Sequence, residues 1–248
     1  MIMKCYLCNA IISGRYYRDG HGNCICASHY EQKEAVQCFS CGAFTYNSPE
    51  FTLLDGRHLC PVCMAQGVNS VEQIQRIKKQ ILYFFANEDI FFHNRTLDDV
   101  SINIVGVTEI ARMRNSSISL ANKGVTITKS MSSLIGMALG QKSKMTHSVY
   151  ILDHLIKIEF AATLAHEFMH IWQNENGVKL EPKKCEGLCN LGSWLIYNKI
   201  TSANTPYLLK SLMENPDPIY GDGFRYVYNR YQELGTEGIL NLAIKGNL

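Results

Sequence analysis

Downstream of residue 69, apolar positions recur at helical spacing in one stretch after another, separated by shorter runs that alternate. From Ser70, SVEQIQRIKKQILYFFAN puts Val71, Ile74, Ile77, Ile81 and Leu82 at helical spacing, with Ser70 placed to cap the first turn. VSINIVGV and GVTITKS are β-branched and bounded by Gly or Asn, so they read as strands. HSVYIL reads as a third strand, just upstream of a long helix. As an edge strand beside that helix, it would be suited to receive an extended peptide by strand addition. TLAHEFMHIW, with Leu164, Ala165, Phe168, Met169, Ile171 and Trp172 around His166, Glu167 and His170, fits a helix buried on several sides with one polar face on a cleft. After Glu186, GLCNLGSWLIYNKIT reads as helical, ENPDPIYGDGFR as a turn-rich loop, and GFRYVYNRYQELGTEGILNLAIKG as a final helix. Short strands followed by helices predict an α+β fold for residues 69–248.

Residues 1–68 have another character. They are rich in Cys, Gly and short turns, and their apolar runs are too few to form a core without help. Eight of the ten cysteines lie here. Cys5-x2-Cys8 is followed by Cys26-x2-His29, and Cys38-x2-Cys41 by Cys60-x2-Cys63. Two ligands from one turn and two from another is the usual cage for tetrahedral structural zinc, with no position left for a substrate. His21-x2-Cys24 competes with Cys26 and His29 for the first site. A small β-rich module holding two structural zinc ions is expected over 1–68.

The formal charge is only +2, and residues 1–66 balance five Lys/Arg against five Asp/Glu. That disfavours nucleic acid as a partner. No apolar run has the length of a membrane span, and MIMKCYLCNA turns polar too quickly for a secretory signal. A cytoplasmic protein is expected, in which paired cysteines bind metal rather than form disulfides.

The long helix carries the chemistry. His166 and His170, four residues apart, share one helical face. Two neutral imidazoles and a carboxylate around zinc leave a position for water, whose proton Glu167 can take. Three acids lie within reach as the third ligand. Glu175, beside Gly177, reads as a solvated surface charge, and Glu181 precedes Pro182 in a loop. Glu186 opens the next helical stretch, and Asn190, one turn on, can hydrogen-bond a metal-bound histidine. A histidine pair, a loop, then a glutamate on a second helix is the gluzincin arrangement. Tyr220, Tyr226, Tyr228, His147 and His154 are candidates for stabilising an oxyanion, and each has a purely structural alternative.

CASHYEQKEAVQCFSC, LDGRHLC, LAHEFMHIW, CEGLCN and PIYGDGFR, in that order, resemble the plant LIM-containing, ubiquitin-activated peptidases that limit organ size. The resemblance implies a LIM-like double zinc module ahead of a cytosolic zinc endopeptidase acting on selected regulatory proteins. By position it assigns the catalytic zinc to His166, His170 and Glu186, with Glu167 as catalytic glutamate. The chain departs from the family in having a single LIM-like unit and no ubiquitin-interacting helices, and Cys185 replaces the first of the family's two glutamates. The module would then serve a regulatory protein partner. The competing reading is a non-catalytic, zinc-stapled interaction adaptor with a degenerate peptidase domain.

Overall fold

The structure, a computed structural model, describes residues 2–131 and 144–248. Its architecture is α+β: small cysteine-bearing hairpins come first, and a mainly helical part with one three-stranded sheet follows.

In the first part, β1 (Tyr16–Arg18) pairs antiparallel with β2 (Cys24–Cys26), which runs into the short helix α1 (Ala27–Glu31). β3 (Ala35–Gln37) and β4 (Phe44–Tyr46) form a second hairpin, and α2 (Pro61–Gln66) follows. Their apolar cores are small and cysteine-rich. Cys5, Ile25, Ala35 and Phe44 make one, while Cys38, Cys41, Leu59 and Cys63 make another that continues into Ile156, Ile158 and Leu208 downstream. The buried guanidinium of Arg57 strengthens that junction. It pairs with Asp55 and with the Asp153 carboxylate, and donates to the Asp153 carbonyl at 2.9 Å.

Helix α3 (Val71–Ala86) begins as the sequence predicts, with a capping box in which Ser70 Oγ accepts from Gln73 N at 3.2 Å and Gln73 Oε1 accepts from Ser70 N at 3.1 Å. Ile74, Ile77, Ile81 and Phe85 are its buried stripe; Val71, in the first turn, faces solvent instead.

β5 (Ser101–Val105) ends before Gly106, and VGV does not extend it as expected, because Val107 starts the helix α4 (Val107–Arg114). β6 (Gly124–Met131) and β7 (Lys144–Leu152) complete a sheet of order β5-β7-β6. β7 pairs in parallel with β5 (Ser101↔Ser148) and antiparallel with β6 (Thr126↔Val149). HSVYIL is therefore the central strand and not an edge. Val149 and Ile151 are fully buried, whereas the later part of β6 is exposed and polar enough to be left at an edge.

Four helical stretches follow: α5 (Lys157–Glu175), α6 (Pro182–Lys199), α7 (Thr205–Met213) and α8 (Tyr220–Ile244), the last broken by a kink at Gly235. YGDGFR, expected in a loop, is the first turn and a half of α8. Asp217 Oδ1 accepts from the backbone N–H of Ile219 and Tyr220, both at 2.8 Å, and so starts the helix. Gly223 is required by packing: a Cβ there would sit 2.1 Å from the Lys183 carbonyl, so α8 lies backbone to backbone on α6. The main core, with Phe85, Phe92, Phe168, Leu188 and Ile239, fills the space between these helices and the sheet. Among the described residues, no helix is long and apolar enough to cross a membrane.

Candidate metal centres and active site

The ligand atoms of Cys5, Cys8, Cys26 and His29 lie within 4.8 Å of one another, and so do those of Cys38, Cys41, Cys60 and Cys63. Sulfur pairs Cys8–Cys26 and Cys41–Cys60 are each 3.9 Å apart. A tetrahedral zinc with about 2.3 Å bonds to sulfur sets its sulfurs about 3.8 Å apart, so both groups fit that ion. Backbone N–H groups point at the sulfurs, Cys26 N at Cys5 (3.5 Å) and Cys63 N at Cys60 (3.4 Å). His29 Nδ1 is 2.8 Å from Glu34 Oε2, which leaves Nε2 for the metal. Crowding of the four sulfurs in the second group divides their protons unequally. Hydrogen bonding from Cys41 pulls Cys38 toward thiolate, and hydrogen bonding to Cys38 pushes Cys63 the other way. The rival pair is used elsewhere: the His21 ring stacks on Tyr207 (5.0 Å), and the Cys24 thiol faces the Gly22 carbonyl. Both quartets have all positions filled by protein, which makes them structural in type.

The third constellation is built by α5 and α6. On α5 the rings of His166 and His170 stand edge to face, 5.0 Å apart. From α6, Glu186 Oε2 approaches both, at 3.1 Å from His166 Nε2 and 3.5 Å from His170 Nε2. Donors at about 2.05 Å around a tetrahedral ion would be about 3.3 Å apart, so this spacing also suits zinc. The two outer nitrogens meet consecutive residues of α6. Asn190 Oδ1 is 2.9 Å from His166 Nδ1, and its amide donates to the Tyr220 carbonyl at 3.0 Å, which fixes the oxygen as the histidine's acceptor. Cys189 Sγ is 3.3 Å from His170 Nδ1. His166, His170 and Cys189 also have ligand atoms within 4.8 Å of one another. Cys189 is buried against the outer nitrogen of His170, however, whereas Glu186 lies where both inner nitrogens point. Cys185, one turn before Cys189, donates to Gln173 Oε1 at 3.0 Å.

Electrostatics follow from this crowding. Burial opposes ionisation of Glu186, but the two imidazoles hold it well below the usual carboxylate range. Burial likewise disfavours the His170 cation, yet Cys185 and Glu186 outweigh it and raise the ring to about 10. Cys185 is lowered to about 5, chiefly by its hydrogen bond with Cys189 and against burial.

Glu167 is buried beneath the edge strand. Thr126 Oγ1 of β6 donates to its Oε2 at 2.8 Å. Gly124 leaves room for it, since a Cβ there would lie 2.6 Å from Glu167 Oε1. Of the five oxyanion candidates, Tyr220 is the one that lines the cleft. Its ring lies 6.4 Å from that of His166, and its hydroxyl accepts from Arg114 Nη2 at 2.7 Å. Tyr226 lies under Lys184 (5.7 Å), Tyr228 packs on Trp194 (5.1 Å), His147 bonds Thr128 (2.9 Å) and His154 flanks Asp153 (3.4 Å). Glu181 precedes α6 and sits 3.7 Å from Lys184. Glu175 is not the solvated charge expected: its side chain is 7% exposed, and it accepts from the His93 backbone at 2.8 Å. The sequence reading missed Thr126, Gly124, Arg114 and Cys189. Cys189 had a signal in its spacing of four from Cys185; the others had none.

No family model and no solved structure matches the chain. Over 191 residues it is 26% identical to Protein DA1-related 2 of Arabidopsis thaliana, covering 68% of this chain and 36% of that protein. The chain thus spans about a third of the length of the curated relative it matches.

Proposed function

We propose that this chain is a zinc-dependent endopeptidase, with a LIM-like double zinc module at 1–68 and a gluzincin-like catalytic domain at 69–248. The observation that carries the reading is the approach of one Glu186 oxygen to the inner nitrogens of both His166 and His170, with Glu167 buried alongside. His166, His170 and Glu186 would hold the catalytic ion; the two quartets would hold structural ones. Zinc in that position would polarise the peptide carbonyl and acidify a water beside it. Glu167, steadied by Thr126, would take the water's proton and pass it to the leaving amine. Asn190 keeps His166 in the tautomer whose inner nitrogen is free to ligate. Tyr220, held by Arg114 beside the His166 ring, would be the hydroxyl that stabilises a developing oxyanion. The edge strand β6, rather than β7, would take the substrate backbone, since its outer side is unpaired among the described residues and it runs beside Glu167. The substrate would be a protein or peptide, the module a surface for a regulatory protein, and the cytoplasm the place of action.

Glu167→Gln tests the reading. Cleavage of a broad peptide library by the parent should stop with a chelator. The variant should keep its metal and lose cleavage, because an amide cannot take a proton from water. A variant as active as the parent would refute the assignment.

A further inference from the structure

A cavity of about 400 Å³ runs along α5 from His166 and Glu167, past Thr163, to Lys123, Glu159 and Tyr197. Glu159 is seven residues before His166, two helical turns or about 10 Å away on the same face. Its carboxylate is 1% exposed and fully engaged. Lys123 Nζ donates to Oε1, and Ser40 Oγ donates to Oε2 at 2.6 Å. The Lys123 ammonium also lies 5.4 Å from the ring centre of Phe39. Phe39 and Ser40 are the two residues between Cys38 and Cys41. The cysteine knuckle of the first part thus touches both members of the ion pair, which line a cavity in the second.

We propose that this cavity receives the substrate side chain next to the scissile bond, and that the Lys123–Glu159 pair, held by Ser40, makes it select a long uncharged side chain. The proposal rests on the peptidase reading above. Glu159 is buried and Lys123 only partly exposed, so a third charge beside the pair is disfavoured: a cation would leave Lys123 without its partner, and an anion would do the same to Glu159. An uncharged side chain meets no such penalty, and the ammonium still has N–H groups for an acceptor such as a glutamine carbonyl. The distance from the metal-ligating residues excludes short side chains from that contact. The zinc module would then be part of the specificity pocket and not only an attached surface.

The test uses the full zinc-loaded chain in the Glu167→Gln background, where binding is read without cleavage. Fluorescent peptides of one frame carry Gln, Met, Lys or Glu at a single position, scanned along the frame. At one position Gln and Met should bind roughly tenfold or more tightly than Lys and Glu. Lys123→Met should turn that preference toward Lys, and Glu159→Gln should turn it toward Glu. Ser40→Ala should shrink the discrimination with zinc content unchanged. Lys123 is partly exposed, so its variant keeps the test available if Glu159→Gln fails to fold. An unchanged preference in Lys123→Met, or no peptide binding by the parent background, overturns the proposal. Chelator-sensitive cleavage by the unmodified chain is scored separately, so a peptidase with a different pocket is distinguished from no peptidase.

Discussion

Thr126, on the edge strand, donates its hydroxyl to Glu167 on α5 at 2.8 Å, across 41 positions of sequence. That bond aims the carboxylate, and it can be removed without touching His166, His170 or Glu186. Thr126→Val should lower kcat roughly 10- to 100-fold, because a misaimed base loses the advantage of position. KM and zinc content should hold, and Thr126→Ser should recover most of the rate. Equal loss in the Ser and Val variants would show that the hydroxyl is not what matters.

Gly124 probes the same carboxylate by steric means. Gly124→Ala introduces a methyl 2.6 Å from Glu167 Oε1 and 3.0 Å from Thr163 Cγ2, so the carboxylate must shift. Cleavage should fall by more than the modest drop in melting temperature from the same crowding explains; wild-type turnover in this variant would place the working position of Glu167 elsewhere.

The third ligand is decided by metal counting. Zinc per chain should be three, falling to two in Glu186→Ala with loss of activity. Cys185→Ser should retain all three ions. Loss of an ion in Cys185→Ser and its retention in Glu186→Ala would transfer the ligand role from the carboxylate to the thiol.

Cys38→Ser should release one structural ion, with a local loss of stability on the order of 10 kcal/mol. Since the Cys38 quartet packs on Ile156 and Ile158, hydrogen exchange should quicken at the start of α5 as well as in residues 35–66. Exchange confined to the first 68 residues would mean that the two parts are energetically separate.

Arg57 carries the polar half of that junction. Arg57→Ala leaves Asp55 and Asp153 facing each other without a cation, and should cost about 3–5 kcal/mol in chemical denaturation. A change below about 1 kcal/mol would show that water replaces the guanidinium.

What could be read from residues alone was whatever is periodic or paired over short spans. The Ser70 cap, the stripe of α3, the cysteine knuckles and the helical pairing of His166 with His170 are all local. Strand order is not. HSVYIL has the composition of a buried strand, but nothing within six residues tells whether one or both of its edges are paired. YGDGFR reads as a turn because two glycines usually mark one, yet Gly223 is there so that α8 can touch α6. Glu175 looked solvated because its burial depends on His93 and His147, far away in sequence. Thr126 and Arg114 entered the cleft by the same kind of distant folding, and no spacing rule announces such neighbours.

Cys189 and Asn190 are consecutive on α6, and each meets the outer nitrogen of a different histidine on α5. Both histidines are thus gripped by a rigid helix pair whose shared core includes Phe168 and Leu188, in contrast to the Cys5 quartet, whose hairpin has only a small apolar core of its own. The two kinds of centre should therefore differ in how they tolerate exchange. A chelator mild enough to spare the quartets should empty the histidine centre without unfolding it, and cobalt(II) added afterwards should enter a ready-made seat. The protein would then carry a coloured reporter at its reactive end while its zinc-stapled end stays spectroscopically silent.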